Sequence, residues 1–335
     1  MSENIFLEKQ YYNAINIALN ADYKKIDAAK KGCWESTWDY LKKDFVNINP
    51  EKEFENLEKL NIQLTLSTEN NFPKTLKEMP WPPFAIYTQG NLKESPSIAI
   101  VGTRKATVAG RSVAKQLAKE LAQNKFSIIS GLALGIDESA HSGALEAEGV
   151  TVAVLPTGIG NIYPKQNQGL AESILKNNGV LLSEFPIKYR PYASSFIQRN
   201  RIISALSQAT IIIEAPEKSG AMATARFALE QNREIFVVPG PANHPNYKGS
   251  HKLIRDGARL VSNFDEIMED LGVEIKEQKQ QQLINDITPE EKIVLEAINQ
   301  VGWPASVDKI SEISKIQVQK INQIIAFLTI KGILK

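Results

Sequence analysis

Only one cysteine, Cys33, occurs in 335 residues. That excludes an internal disulfide and a cysteine-built zinc site. No run of about 18 apolar residues is present, so no membrane-spanning helix and no membrane partner are expected. The opening MSENIFLEKQ has neither the basic nor the apolar stretch of a secretory signal, and a cytoplasmic chain is the expectation. Nucleotide signatures are missing too. GTRKATVAG lacks the second glycine of G-x-G-x-x-G, and G-x-x-x-x-G-K-[ST] occurs nowhere. A nicotinamide dehydrogenase and a P-loop ATPase therefore lack their phosphate loops. The serines near 130–142 form no G-x-S-x-G elbow, which leaves a hydrolase without its nucleophile. No cofactor is expected.

Arginine is the scarce cation. Nine arginines stand against 30 lysines, and all nine lie between 104 and 259. Where lysine is the default, an arginine marks a place that wants a flat, permanently charged fork, as at a phosphate or a base. Arg111, Arg226 and Arg233 read equally well as solvated helix faces. The net charge of +1 divides into 12 basic and 14 acidic groups in residues 1–95, 19 and 16 in 96–271, and eight of each in 272–335.

Residues 1–62 show spacings of three and four and predict an N-terminal helical domain. A proline-rich lead-in with a short strand at 84–87 opens the central domain, 63–271. Seven short apolar runs follow, near 98–101, 127–130, 151–155, 180–183, 210–214, 235–238 and 259–261, each succeeded by a helical pattern. This alternation predicts an α/β fold, a doubly wound parallel sheet with helices on both faces. Residues 272–287 read as a polar linker. The remainder, 288–335, opens on Thr288 with Glu291 three positions on, a capping box, and predicts three helices of a winged-helix-like module with little chain left for a wing. Its six basic and five acidic groups make it a weak electrostatic match for duplex DNA.

A parallel sheet aims its strand ends at one crevice, so the loops after the strands should converge. VGTR (101–104) offers Gly102 for close backbone approach and Arg104 as a projecting cation. SGLALGID (130–137) brings Ser130 and Gly131 to a helix start whose amides form an anion site. There Asp137 and His141, one turn apart, could form a metal or acid–base pair; the favoured reading has Asp137 binding backbone N–H groups with His141 packed behind it. FIQRNR (196–201) carries Phe196, Arg199, Asn200 and Arg201, the ring, amide and cations of single-strand recognition. The alternative is a helix whose Phe196 enters the core and whose arginines pair with Glu184 or Glu214. Lys218, Ser219 and Gly220 repeat the anion-site pattern at another helix start.

Taken in order, IAIVGTR, SGLALGIDESAHSGAL, TVAVLPTGIGNIYPKQN, GVLLSEFP, FIQRNRIISALS, EAPEKSGAMATARFALE and IFVVPGP resemble the DNA-processing protein DprA (Smf) family over roughly residues 65–270. The resemblance implies an extended Rossmann-like domain that binds single-stranded DNA without sequence preference, loads RecA during natural transformation, forms a homodimer and is not an enzyme. It also implies a positive pocket of Gly102, Arg104, Ser130, Gly131, Phe196, Arg199, Asn200, Arg201, Lys218, Ser219 and Gly220. Two stretches depart from the pattern: Thr107 and Ala109 stand where a serine and an aromatic residue are usual, and HPNYKGSHKLI replaces a serine–glycine–threonine–asparagine run. The competing reading is a nucleotide phosphoribohydrolase of a related fold. It needs P-G-G-x-G-T-x-x-E, and EAPEKSGAMATARFALE lacks the double glycine and places Ala and Arg at the working positions. A candidate dimer surface is the apolar face of Phe264, Ile267, Met268 and Leu271.

Overall fold

A computed structural model of the chain describes residues 3–273, 288–302, 304 and 306–330. Most of the expected linker, 274–287, lies outside the described residues, as do 331–335, where a wing would be sought. The chain forms two compact units, Met1–Ile267 and Met268–Lys335.

In the first unit α1 (Glu3–Ala18), α2 (Tyr23–Ala29), α3 (Trp34–Leu41) and α4 (Pro50–Lys59) precede β1 (Ile62–Leu66), α5 (Lys74–Lys77) and β2 (Ala85–Gln89). The alternation follows: β3 (Ser97–Gly102), α6 (Val108–Gln123), β4 (Ser127–Ser130), α7 (Ile136–Glu146), β5 (Thr151–Leu155), α8 (Gln168–Lys176) and β6 (Val180–Ser183). Then come α9 (Ala193–Ala205), β7 (Ala209–Ile213), α10 (Gly220–Glu230), β8 (Glu234–Val237), α11 (Lys248–Arg255), β9 (Arg259–Leu260) and α12 (Phe264–Asp270). All seven predicted strands are present. β1 was not foreseen; it pairs antiparallel with β2, which pairs antiparallel with β6. The strands form one sheet in the order β1-β2-β6-β5-β4-β3-β7-β8-β9, parallel from β6 to β9.

Strands buried on both faces read as continuous apolar runs, and TVAVL and ATIII do so here. Their side chains alternate between two cores. Val152 and Val154 join Ile202, Ile203 and Ala225 of α9 and α10. Ala153 and Leu155 join Ile174 of α8 and, notably, Tyr12, Ile15, Trp34 and Leu57 of the N-terminal helices. Those helices therefore share one core with the sheet. Polar groups reinforce the junction: the Asn16 amide donates to the Tyr87 hydroxyl (3.1 Å), and that hydroxyl donates to Asn13 Oδ1 (2.9 Å).

The second unit holds α13 (Pro289–Val301), α14 (Val307–Ser314) and α15 (Val318–Ile330). The capping box forms as its spacing predicts, with Thr288 N–H donating to Glu291 (2.7 Å) and Glu291 N–H to Thr288 Oγ1 (3.2 Å). Val294, Ile298, Ile310, Ile321 and Leu328 make a core of their own. Among the described residues this unit has no strand. Of the candidate dimer face, Phe264, Ile267 and Met268 are buried and Leu271 is half-buried, so three of its four side chains are not open to a second copy.

Candidate functional site

Strand order reverses beside β3. The chain lays β4, β5 and β6 to one side, then returns to place β7, β8 and β9 on the other. A crevice at such a reversal is where doubly wound sheets bind ligands. Here the chain fills it. Glu214 follows β7 at φ 51°, fully buried, and its carbonyl accepts the Thr103 N–H (2.9 Å). Its carboxylate accepts the Thr107 N–H (2.9 Å), the Thr107 hydroxyl, the Asn246 amide (2.9 Å) and the Tyr247 hydroxyl (3.2 Å). Burial pushes this carboxyl up, but the bonds from Thr107, Asn246 and Tyr247 outweigh it and hold it below the ordinary range. Thr107 also caps α6 by accepting the Gly110 N–H (3.0 Å).

The open pocket lies to one side, above β3, β4 and β5. It is a small cavity of about 50 Å³ between Arg104, Gly131, Ala133, Leu134, Pro156, Tyr163, Pro164, Phe196 and Arg199. The exposed Arg104 guanidinium sits 4.8 Å from the Phe196 ring centroid, a cation–π pair. Tyr163 meets the same ring edge-on at 5.4 Å.

Beneath them Arg199 is only 4% exposed. Its Nε donates to Asn200 Oδ1 (3.0 Å) and its Nη1 to the carbonyls of Gly131 and Val154. Nη2 makes no hydrogen bond among the described residues. Burial lowers the guanidinium to about 10, with Asp137 opposing and Arg104 assisting, so it stays charged at neutral pH.

The predicted residues separate into groups. Arg104, Phe196, Arg199 and Gly131 meet at the pocket. Gly131 is required there by space: a Cβ would collide with the Arg199 guanidinium. Asn200 turns the other way along the rim, its amide donating to the Gly220 carbonyl (3.1 Å) at the start of α10. Lys218 is exposed, and Ser219 caps α10 by accepting the Met222 N–H (3.4 Å). Three expectations are corrected. Gly102 lies against Ile213 O and Ile136, so its lack of a side chain serves strand and helix packing. Ser130 is fully buried, its hydroxyl donating to Ile100 O (2.6 Å). Arg201 is 1% exposed and ion-paired to Glu184 at 2.6 Å, as the alternative reading of that helix expected.

The anion site at the start of α7 is already taken by the chain's own carboxylates. Asp137 accepts the Gly131 N–H (3.1 Å) and Glu138 the Gly135 N–H (3.4 Å). His141, fully buried behind them, bonds Thr151 through Nδ1 (2.7 Å). Burial, helped by Arg199, pulls its imidazole down to about 3. Arg111 and Arg226 lie exposed on helices, bonding the Ala106 carbonyl and Glu230, whereas Arg233 follows α10, half-buried, and donates to the Ala205 carbonyl (3.4 Å). Sequence reasoning missed Tyr163 as a site residue. Its signal was present in TGIGNIYPKQN, a loop after β5 that must reach the same rim. Among the described residues no three His, Cys, Asp or Glu side chains gather as metal ligands.

Fold and site together define a Rossmann-like protein with a cationic, ring-lined pocket on the carboxyl edge of its sheet. The chain belongs to the DNA recombination-mediator protein A family, whose model matches residues 63–272. Protein Smf of Synechocystis is 39% identical over 245 residues, 71% of this chain and 61% of that one. Protein Smf of Escherichia coli is 41% identical over 217 residues, 64% and 58% of the two chains. The match thus spans about three fifths of these relatives' length. Among solved structures, DNA processing protein A from Streptococcus pneumoniae superposes with a TM-score of 0.64 at 28% identity, covering 80% of this chain and 94% of that one. The protein from Helicobacter pylori, described there for its single-stranded DNA binding mode, gives 0.57 at 35% identity, covering 62% and 95%.

Proposed function

We propose that this chain binds single-stranded DNA without sequence preference, protects the incoming strand and loads RecA on it during natural transformation. It acts as a non-catalytic homodimer joined through the Rossmann-like domain. One observation carries the reading: Arg104, Phe196, Tyr163 and the free edge of Arg199 converge on one open pocket. Rings accept any base face and guanidinium groups accept any phosphate, so affinity without sequence preference follows. The Helicobacter pylori neighbour lends support at 35% identity. A binder also suits the titratable groups nearby. Asp137, His141 and Glu214 are each buried and committed to internal hydrogen bonds, and none is presented to the pocket as a general base.

The test is fluorescence anisotropy with labelled oligothymidylate of about 16 nucleotides, the upper end of single-strand site sizes. The log–log salt slope should be roughly −0.7 per phosphate neutralised. Phe196→Ala is expected to weaken binding at least roughly fivefold, the lower bound of one lost base stack. Equal affinity for a matched duplex, or an unchanged Phe196→Ala variant, would refute the reading.

A further inference from the structure

The loop 186–192, PIKYRPY, enters α9 immediately before the pocket and alternates cations with rings. Its rings are held firmly. Tyr189 stacks on the buried Phe185 at 4.4 Å and 10°, and its backbone is tied at both ends, N–H to Pro186 O (2.8 Å) and carbonyl to Gly158 N–H (3.3 Å). Tyr192 lies against Tyr189 at 5.9 Å and 67° yet is 56% exposed. The Ser195 hydroxyl fixes its backbone, accepting the Tyr192 N–H (3.0 Å) and donating to the Tyr192 carbonyl (2.8 Å). Tyr192 thus presents an exposed ring on an anchored backbone. The cations differ. Lys188 leans 4.0 Å from Glu53, whereas the exposed Arg190 makes no ion pair or hydrogen bond among the described residues.

Tyr192 is the N-cap of α9, four positions before Phe196, so both residues stand at the same helix entrance.

We propose that Tyr189 and Tyr192, with Arg190, form a second stacking platform that continues the single-strand track beyond the Arg104–Phe196–Tyr163 pocket. This rests on the single-strand reading of that pocket. The occupant is the flanking segment of the same polynucleotide, a base lying on the Tyr192 face and its phosphate on Arg190. A short oligonucleotide fills the pocket alone; a longer one reaches both.

Oligothymidylates of about 4 and about 16 nucleotides, spanning typical single-strand site sizes, separate the two. In anisotropy titrations Tyr192→Ala should weaken the long oligonucleotide at least roughly fivefold and leave the short one unchanged. Tyr192→Phe should restore the long-oligonucleotide affinity, since the ring is what stacks. Arg190→Ala should lower the salt slope for the long one by about 0.7. Phe196→Ala run in parallel should weaken both lengths. If the parent binds neither oligonucleotide, or Phe196→Ala changes nothing, the pocket reading fails. If Phe196→Ala weakens both while Tyr192→Ala matches the parent, or weakens both equally, the platform is overturned and the pocket stands.

Discussion

Two positions along an α-helix are about 200° apart, which puts Arg199 and Arg201 of α9 on opposite faces. Phe196, Arg199 and Asn200, at spacings of three and four, share the face that meets the rim. Arg201 turns to the buried side, where Glu184 holds it and its Nε and Nη1 have no hydrogen-bond partner among the described residues. The motif FIQRNR therefore contains one arginine that lines the pocket and one held in an internal ion pair. The spacing was legible in the sequence; which face would be buried was not, because that depends on β6 and the N-terminal helices delivering Glu184. Arg201→Ala strands a buried carboxylate and should cost about 3–5 kcal/mol of unfolding free energy, measured by urea titration. Arg104→Ala, at an exposed position, should stay within about 0.5 kcal/mol of the parent while weakening oligothymidylate. Gly131→Ala makes the complementary point. Its methyl group would displace the Arg199 guanidinium, so it should weaken single-strand binding as Arg199→Ala does, without removing any charge.

At the scale of elements, strand and helix positions along the doubly wound core followed directly from apolar runs and glycine-marked turns. β1 escaped because IQLTL continues without a break from EKEFENLEKLN, whose helical spacing runs up to it. Only the pairing with β2, remote in sequence, makes those residues a strand. The helix α7 carries a consequence for pH. His141 has its folded pKa depressed to about 3, far below the ordinary imidazole value near 6.5. Between those values the unfolded chain binds a proton that the folded chain refuses, so stability falls as pH drops from about 6.5 towards 3. The slope approaches about 1.4 kcal/mol per pH unit. Asp137, raised by burial against the pull of Arg199, works in the opposite sense over the acid range. Comparison with His141→Gln isolates the histidine: the variant should lose less stability than the parent between about pH 6.5 and 5 in urea titrations. Parallel curves would show that the imidazole is not held neutral.

For the whole molecule, the sequence suggested an N-terminal helical domain ending at 62, and periodicity alone offers no way to see what its apolar faces cover. They cover the sheet. Leu132, Leu155, Ile159, Ile174 and Leu181 of the alternating α/β region are buried in one cluster with Tyr12, Ile15, Trp34 and Leu57. A chain beginning at residue 63 would lose Tyr12, Ile15, Trp34 and Leu57 from that cluster and leave Tyr87 without Asn13 and Asn16. Each large apolar side chain left uncovered costs about 1.5–3 kcal/mol, so a few of them are comparable with the roughly 5–15 kcal/mol that holds a typical domain folded. Deleting residues 1–62 should therefore abolish cooperative unfolding or drive the protein into aggregates. Deletion of 274–335 is a different case, because the three helices there have a core of their own in Val294, Ile298, Ile310, Ile321 and Leu328. That truncation should keep the melting midpoint of the first unit, by calorimetry, and keep the pocket's response to Phe196→Ala. If the amino-terminal truncation instead folds cooperatively at an unchanged midpoint, the shared core contributes nothing to stability, and Leu155 and Leu181 must find other cover.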